Sequence, residues 1–302
     1  MKKSGIVLMM TLILITVMMG IVALMLTQSA QLSKLGNSSF TQSAALRVIS
    51  DLEIQLPTLL NSITGAEELD LAMKIPLHLE SKKKDFILKA SLSSPYNRLN
   101  INSLISAAGV INDAQVTLLM RIFTARPIAD PDIFFKLIFD TIDIDTTERG
   151  KDTEIVWSQP DCKNGIIANE KQFNIILSRY IELTRDTTIL SIPWDKYIGF
   201  EGEKMDFNAV NTETLALILP TVGAEKIRSL TAYRTKAFAS KEEAIASEPA
   251  LATVFDNYFF IYKPNTSYAL ACDVVITENT QVEHLKFQYN LLDKKVQRIE
   301  FL

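Results

Sequence analysis

Residue types that carry catalysis are scarce in this 302-residue chain, which contains only two histidines, His78 and His284. Neither histidine has a serine, a cysteine or a carboxylate at a spacing typical of a catalytic motif. Positive charge is not in excess either, because 31 lysines and arginines stand against 35 acidic residues and the net charge is −4. A nucleic-acid-binding surface needs clustered positive charge. The composition therefore predicts neither an enzyme nor a protein that binds nucleic acid.

Charge is missing altogether from the 22 residues between Ile6 and Thr27. A helix of this length spans about 33 Å, which is enough to cross a bilayer. The run is too long for the apolar core of a secretory signal peptide, and the residues after it continue as an amphipathic helix toward Pro57. Lys2 and Lys3 precede it, and the positive-inside bias predicts a cytoplasmic N-terminus with the rest of the chain exported. We therefore expect a single-pass membrane protein.

Alternating apolar and polar residues predict short strands in two separate parts of the chain. One part is a hairpin, Met73–Leu79 and Phe86–Leu92, and the other is a group of three strands at Ser267–Thr277, Val282–Leu292 and Lys295–Leu302. A long, mostly helical pattern separates the two parts. The sequence predicts an α+β fold: an N-terminal helix, transmembrane and then amphipathic, packs on one antiparallel sheet built from both parts. A large α-helical domain is inserted into that sheet.

Five parts follow from this pattern. Residues 1–5 form a short leader and residues 6–27 the transmembrane helix. Residues 28–98 form the first part of the α/β core, and residues 263–302 complete its sheet. The inserted helical domain covers residues 99–262.

Two asparagine pairs precede helical patterns in the inserted domain. Asn102 and Asn211 are predicted N-caps, whose side-chain oxygens accept hydrogen bonds from the first amides of a helix. Asn100 and Asn208 are predicted to close local turns with their own backbone. Because no nucleophile lies beside either pair, their predicted role is structural.

The segment around Gly223 resembles a helix-hairpin-helix, with a break between two helical patterns. In DNA-binding versions, the hairpin glycine exposes backbone amides to a phosphate. Lys226, Arg228 and Arg234 are placed to support such contacts, whereas several nearby glutamates oppose them. The sequence favours a structural hairpin. The alternative is a membrane-anchored DNA-binding protein of a DNA-uptake system, which a salt-dependent gel shift separates from the structural role.

Six carboxylates fall within the fifteen residues from Asp140 to Glu154. Oxygen ligands at this density suit calcium, which accepts irregular geometry. The ordered spacing of an EF-hand loop is absent. A solvated acidic loop is the alternative.

The two cysteines, Cys162 and Cys272, lie far apart in a segment that is predicted to be outside the cytoplasm. An oxidising compartment favours disulfides, so the sequence predicts a bond between them. Two buried thiols are the alternative.

The N-terminus resembles the leader of type IV prepilins and pseudopilins, because Lys2, Lys3 and Gly5 lead directly into an apolar run. Most members of that family carry glutamate at the fifth mature position, where this chain has Met10. Three further segments occur in the order found in general secretion pathway protein K, a minor pseudopilin of type II secretion systems. These segments are "LNINSL" at Leu99–Leu104, "DTIDIDTTERGKDTE" at Asp140–Glu154 and "NAVNTET" at Asn208–Thr214.

The resemblance implies that a prepilin peptidase cuts between Gly5 and Ile6 and that Ile6 becomes a methylated N-terminus. It also implies a position at the tip of a periplasmic pseudopilus, because a first subunit meets no amine that a glutamate in place of Met10 would neutralise. Such a subunit starts pseudopilus assembly and helps folded proteins to cross the outer membrane. The implied location is the bacterial inner membrane, with the main domain in the periplasm.

The resemblance also implies partners and a metal. The expected partners are the I-type and J-type minor pseudopilins, the rest of the pseudopilus, the inner-membrane secretion platform and the prepilin peptidase. Members of this family bind calcium in the exported domain. The expected calcium ligands are Asp140, Asp143, Asp145 and Glu154, with Asp152 as a reserve that could replace one of them.

Overall fold

A computed structural model describes residues 63–80, 86–106, 109–159, 162–264, 266–278 and 281–301. Every helix in these ranges is too short or too polar to cross a membrane. The predicted leader, the membrane helix over residues 6–27 and the amphipathic helix that follows it lie outside the described residues.

The described residues divide into two compact units. The first contains the residues up to Ser94 together with those from Tyr262 onward, and the second runs from Pro95 to Ile261. The chain therefore leaves the first unit and later returns to it. The sequence predicts the boundaries of this insertion at residues 99 and 262.

Among its described residues, the first unit contains one helix and one five-stranded sheet. The elements are α1 (Ala66–Lys74), β1 (Leu77–Glu80), β2 (Phe86–Ser93), β7 (Ala269–Glu278), β8 (Gln281–Asn290) and β9 (Lys295–Phe301). The sheet has the order β1-β2-β7-β8-β9, and all of its neighbouring strands are antiparallel. The pairing of β2 with β7 confirms the prediction that both parts of the chain build one sheet. The predicted strand Met73–Leu79 is wrong at its start, because Met73 and Lys74 end α1.

Alternation along β7 and β8 explains why the C-terminal strands were predictable. Leu270, Cys272, Val274 and Ile276 are buried at every second position of β7, and Leu285, Phe287 and Tyr289 are buried in the same way on β8. A period of two residues places all of these side chains on one face of the sheet. Burial of this apolar face stabilises the first unit.

The second unit is helical and contains two halves with the same order of elements. The first half consists of β3 (Leu99–Asn100), α2 (Asp113–Ala125), α3 (Pro131–Ile142), α4 (Glu170–Thr184), α5 (Trp194–Tyr197) and β4 (Ile198–Gly199). The second half consists of β5 (Met205–Asp206), α6 (Thr212–Ile218), α7 (Ala224–Leu230), α8 (Lys241–Ser247), α9 (Phe255–Tyr258) and β6 (Phe259–Phe260). In each half the first strand pairs in parallel with the last. A 3₁₀ turn also precedes the four-residue helix in each half, at Thr188–Ser191 and Pro249–Thr253.

The two halves also share a side-chain bridge. Asn102 Nδ2 donates to the carbonyl of Ile167 at 2.9 Å, and Asn102 Oδ1 accepts from the amide of Ile167 at 2.7 Å. Asn208 makes the same pair of bonds with Phe238, both at 2.9 Å. The predicted capping role of Asn102 and the local turn at Asn208 are therefore wrong, since both side chains bind distant backbone. The predicted N-cap at Asn211 is confirmed, because its Oδ1 accepts from Thr214 N at 2.7 Å.

Each bridge is followed by the same helix start. In the first half, Asn169 caps Gln172 N at 3.0 Å and Gln172 Oε1 accepts from the amide of Ala168. In the second half, Ser240 caps Glu243 N at 3.3 Å and Glu243 Oε2 accepts from the amide of Ala239. The arrangement resembles a capping box, except that the glutamine or glutamate binds the amide of the residue before the cap. They fix where α4 and α8 begin relative to the two asparagine bridges.

An aromatic cluster fills the core of each half. In the first half, Trp194 stacks on Phe134 with ring centroids 5.4 Å apart and meets Phe173 edge-on at the same distance. In the second half, Phe207 lies 5.5 Å from Phe255 and 5.2 Å from Phe259. Trp194 and Phe255 are the first residues of α5 and α9. The equivalent four-residue helices therefore place an aromatic ring in each core.

Candidate functional site

The candidate site lies at the end of α3 and in the loop that follows it. Asp130 begins this helix by accepting a hydrogen bond from Ile133 N at 3.1 Å, and Pro131 takes its first position. Phe134, Leu137 and Ile138 bury the helix against the core of the first half. Because the helix ends at Ile142, its last turn brings the acidic segment against this buried surface.

Asp140 is fully buried and has hydrogen-bond donors on both carboxylate oxygens. Oδ2 accepts from the backbone amide of Arg149 at 3.0 Å and from the hydroxyl of Thr153 at 2.6 Å. Oδ1 accepts from Nη1 of Arg149 at 3.0 Å. The same Thr153 hydroxyl accepts from Gly150 N at 2.9 Å. Asp140 therefore holds the loop from residue 149 to residue 153 in its folded shape.

Arg149 joins two of the predicted metal ligands. Its Nη1 donates to both Asp140 and Asp143, forming an ion pair with each carboxylate. Burial opposes the charge on Arg149, but its hydrogen bonds to Asp143 and Asp140 raise the pKa of the guanidinium. Burial raises the pKa of Asp143, an effect that the Arg149 hydrogen bond opposes. Arg149 was not predicted as a site residue, although it lies within the quoted acidic segment.

Glu154 is a third buried carboxylate and is 2% exposed. Its Oε1 accepts from Asn164 Nδ2 at 2.8 Å. Burial raises its pKa, and the negative charges of Asp140, Asp143 and Asp145 raise it further. Asp140, Asp143 and Glu154 therefore lie within electrostatic reach of one another.

Two carboxylate oxygens of this cluster are buried without a hydrogen-bond partner. They are Oδ1 of Asp143 and Oε2 of Glu154. A buried charged oxygen without a partner costs a large desolvation free energy unless a cation compensates it. Three carboxylates and one guanidinium leave a formal charge of −2 when all are ionised. In charge and in donor atoms, the cluster fits a divalent cation that prefers oxygen ligands.

The other two predicted ligands, Asp145 and Asp152, are exposed rather than buried. Asp145 is exposed, and its Oδ1 accepts a hydrogen bond from Thr147 N at 2.7 Å. Asn164 Nδ2 donates both to the backbone carbonyl of Asp145 and to Glu154 Oε1. Asp152 is also exposed, in a left-handed backbone conformation with φ of 63°. Among the described residues, no three acidic, histidine or cysteine side chains converge closely enough to hold a metal ion as they stand. The structure therefore buries Asp140, Asp143 and Glu154 near one another, but not close enough to hold a metal ion as they stand, and it leaves Asp145 and Asp152 exposed.

The other predicted processing and redox residues have separate outcomes. Gly5, Ile6 and Met10 lie outside the described residues. Cys162 and Cys272 are both buried and lie in different units, so the disulfide between them stays a prediction. Cys162 lies in the helical unit, whereas Cys272 lies on the buried face of β7 in the sheet unit.

The hairpin around Gly223 joins α6 to α7. Gly223 begins α7 without a side-chain cap, and Lys226 and Arg228 are exposed on that seven-residue helix. Arg234 instead donates from Nη2 to the carbonyl of Asn208 at 2.6 Å. One of the three cations proposed for phosphate contacts therefore stabilises the second half of the helical unit.

The two histidines lie in the sheet unit. His78 is exposed on β1. His284 Nε2 lies 2.7 Å from Asp273 Oδ1, across the β7–β8 pair. That the chain is not an enzyme stays a prediction.

The sequence and the fold were compared with known proteins. No protein-family model matches the sequence, and no curated protein matches it. Among solved structures, the chain is similar to one chain of the GspK-GspI-GspJ complex from the type 2 secretion system of enterotoxigenic Escherichia coli. The TM-score is 0.55 at 12% sequence identity, and the likeness covers 88% of this chain and 99% of that one. The chain therefore shares the mixed helix and antiparallel-sheet fold of that chain.

Proposed function

We propose that this chain is a minor pseudopilin at the tip of a type II secretion pseudopilus, where it starts assembly and helps to export folded proteins across the outer membrane. The observation that carries the proposal is the fold, which is shared with a component of a three-protein pseudopilin complex over nearly the whole of both chains. Expected partners are minor pseudopilins of the I and J types, because the similar chain belongs to the GspK-GspI-GspJ complex. The rest of the pseudopilus and the inner-membrane secretion platform complete the expected set.

The proposal includes an N-terminal anchor in the bacterial inner membrane. A prepilin peptidase cuts between Gly5 and Ile6, residues 6–27 span the membrane, and the main domain is periplasmic. The motive is the basic leader that ends in glycine at the edge of an uncharged run. N-terminal sequencing of the membrane-extracted chain, with the peptidase present, is expected to begin at Ile6. A chain that still began at Met1 would remove this part of the proposal.

The tip position is tested by crosslinking. Cysteines are introduced one at a time along residues 28–56, in a background where Cys162 and Cys272 are replaced by serine. Crosslinks to the I-type and J-type subunits, with one copy of this chain at the end of each pseudopilus, support the proposal. Copies at regular intervals along the fibre would overturn it.

Met10 offers a second test of the tip position. A first subunit meets no preceding amine, so Met10→Glu is expected to bring no gain in secretion and to place an unpaired carboxylate in the membrane. A gain in secretion would show that a preceding subunit presents an amine at this position.

We also propose that the loop after α3 binds calcium through Asp140, Asp143 and Glu154, with Asp145 and Asp152 close by in sequence. Calcium supplies the positive charge that the two unpartnered buried oxygens lack. A ligand that binds only the folded state raises the melting temperature (Tm) by mass action, and a hundredfold excess over Kd contributes about 2.7 kcal/mol. The Tm of the detergent-solubilised full chain is expected to be higher in millimolar calcium than in a chelator. An equal Tm in both would remove the calcium proposal.

A further inference from the structure

We infer that Arg149 is the resident counter-ion of the acidic loop and that a divalent cation enters this loop by displacing the Arg149 guanidinium. The inference rests on the proposed calcium site and adds a residue that controls its affinity. It also explains how the loop keeps its fold when no metal is bound.

The charge balance of the cluster is the first argument. Asp140, Asp143 and Glu154 are each less than 5% exposed. Of the described cationic groups, only Arg149 is hydrogen-bonded to any of these three carboxylates. Lys136 lies on the same helix but pairs with Asp132 at 2.6 Å. Without the Arg149 guanidinium, three buried carboxylates would have no cation among their hydrogen-bond partners.

The second argument concerns the two ways in which Arg149 is attached. Its backbone amide binds Asp140 Oδ2, and its side chain binds Asp140 Oδ1 and Asp143 Oδ2. The side chain is 30% exposed, so the guanidinium has a route to solvent. The backbone bond and the Thr153 hydroxyl hold the loop on Asp140 whether or not the guanidinium stays. The side chain can therefore leave while the loop remains in place.

The third argument concerns the oxygens that such a departure releases. It frees Asp140 Oδ1 and Asp143 Oδ2, which would join the unpartnered Asp143 Oδ1 and Glu154 Oε2. Four carboxylate oxygens are more than half of the six to eight ligands that calcium takes, and water supplies the others. With the guanidinium in place, only two oxygens lack a partner. In the metal-free fold, no three acidic, histidine or cysteine side chains of the described residues lie close enough to hold a metal ion, so the carboxylates must also move toward the ion when the guanidinium leaves.

Competition of this kind has two measurable consequences. Without metal, Arg149 stabilises the loop, because removal of one partner of a buried ion pair leaves uncompensated charge. With metal, Arg149 weakens binding, because the ion must first break two ion pairs. Replacement of Arg149 should therefore lower the metal-free stability and tighten calcium binding at the same time.

The experiment compares the full chain with the variants Arg149→Gln and Arg149→Lys in detergent. In a chelator, R149Q is expected to lower the Tm by about 10 °C. Calorimetric titration with calcium is expected to show binding at least about tenfold tighter than for the unchanged chain, and saturating calcium should return the Tm to near that of the unchanged chain. R149K keeps one positive charge but lacks the forked donor geometry. Its metal-free Tm and its calcium affinity are therefore expected to lie between those of the unchanged chain and those of R149Q. Arg228→Gln, at an exposed arginine on α7, is the matched control and is expected to change neither value.

The outcomes separate the two proposals. Tighter calcium binding together with a lower metal-free Tm in R149Q supports displacement. Calcium binding that is unchanged or weaker in R149Q overturns displacement but leaves the calcium site standing. If neither chain binds calcium, the calcium site and the displacement both fail, while the pseudopilin proposal is judged separately by crosslinking. An R149Q chain that is as stable as the unchanged chain in chelator overturns the role of Arg149 as counter-ion.

Discussion

Asn102 and Asn208 occupy equivalent positions in the two halves of the helical unit, and each binds the amide and the carbonyl of one distant residue. The residues bound are Ile167, 65 positions away, and Phe238, 30 positions away. In each half this bridge ties the first strand to the start of the third helix. The helical unit thus carries the same long-range contact twice.

Replacement of either bridging asparagine should destabilise the helical unit. Asn102→Ala or Asn208→Ala leaves one backbone amide and one carbonyl without their partners, which we expect to cost roughly 2–3 kcal/mol in each case. Urea unfolding followed by tryptophan fluorescence measures the change. Asn174→Ala, at an exposed asparagine on α4, is the control and should stay within about 0.5 kcal/mol of the unchanged chain. Equal effects in all three variants would remove the structural role of the bridges.

Stability should depend on pH through Glu154. Burial raises the pKa of Glu154 in the folded chain, so the folded state binds this proton more tightly than the unfolded state does. The contribution of Glu154 to stability is therefore greatest below its unfolded pKa of about 4.3 and is lost as the pH rises through the folded value. Glu154→Gln removes this loss, and we expect it to raise the metal-free Tm at pH 7.5 by about 2–4 °C and to give no gain near pH 4.

The control for this pH effect is Glu203→Gln, at an exposed glutamate whose loss should leave the Tm profile unchanged. A lower Tm of E154Q at pH 7.5 in a chelator would show that the Glu154 carboxylate is stabilising rather than costly. In calcium the order should reverse, because E154Q lacks a ligand.

Alanine substitutions at Gly109 and Gly202 distinguish the cost of backbone strain from the cost of steric overlap. Gly202 has a φ of 74°, and a Cβ added there would lie 2.4 Å from Cδ1 of Tyr96. Gly109 has a φ of 77°, but a Cβ there would meet nothing within 4 Å. We expect Gly109→Ala to cost about 1 kcal/mol from the backbone alone and Gly202→Ala to cost at least 1 kcal/mol more. Urea midpoints measure both, and equal costs would show that Tyr96 moves aside freely.

Both cysteines should behave as buried thiols. Burial raises the pKa of Cys272 far above its usual value, and thiols react through the thiolate. We expect no alkylation of Cys162 or Cys272 in the folded chain, and two alkyl groups per chain after unfolding without reductant. Mass spectrometry gives the count. A mass that shows labelling only after reduction would support the disulfide that the sequence predicts.

Patterns between residues close in sequence were sufficient to predict some of the strands and one helix cap of this protein. The C-terminal strands follow from alternation, because a strand needs only a period of two residues to bury one face. The N-cap at Asn211 follows from its position before a helical pattern, because capping joins groups three residues apart. The repeated segments Trp194–Tyr197 and Phe255–Tyr258, each an aromatic residue, an aspartate, a polar residue and a tyrosine, were a signal of the two halves that the sequence reading missed.

Long-range contact decided the rest, and only the tertiary structure contains it. The partners of Asn102 and Asn208 are not visible in any local window, because their hydrogen bonds join segments far apart in sequence. The acidic segment predicted a density of carboxylates but not which ones are buried. Burial of Asp140 and Glu154 depends on the packing of α3 and its loop against the core. Charge pairing acts through distance in space, and for this reason Arg149 became visible as the partner of Asp140 and Asp143 only in the folded chain.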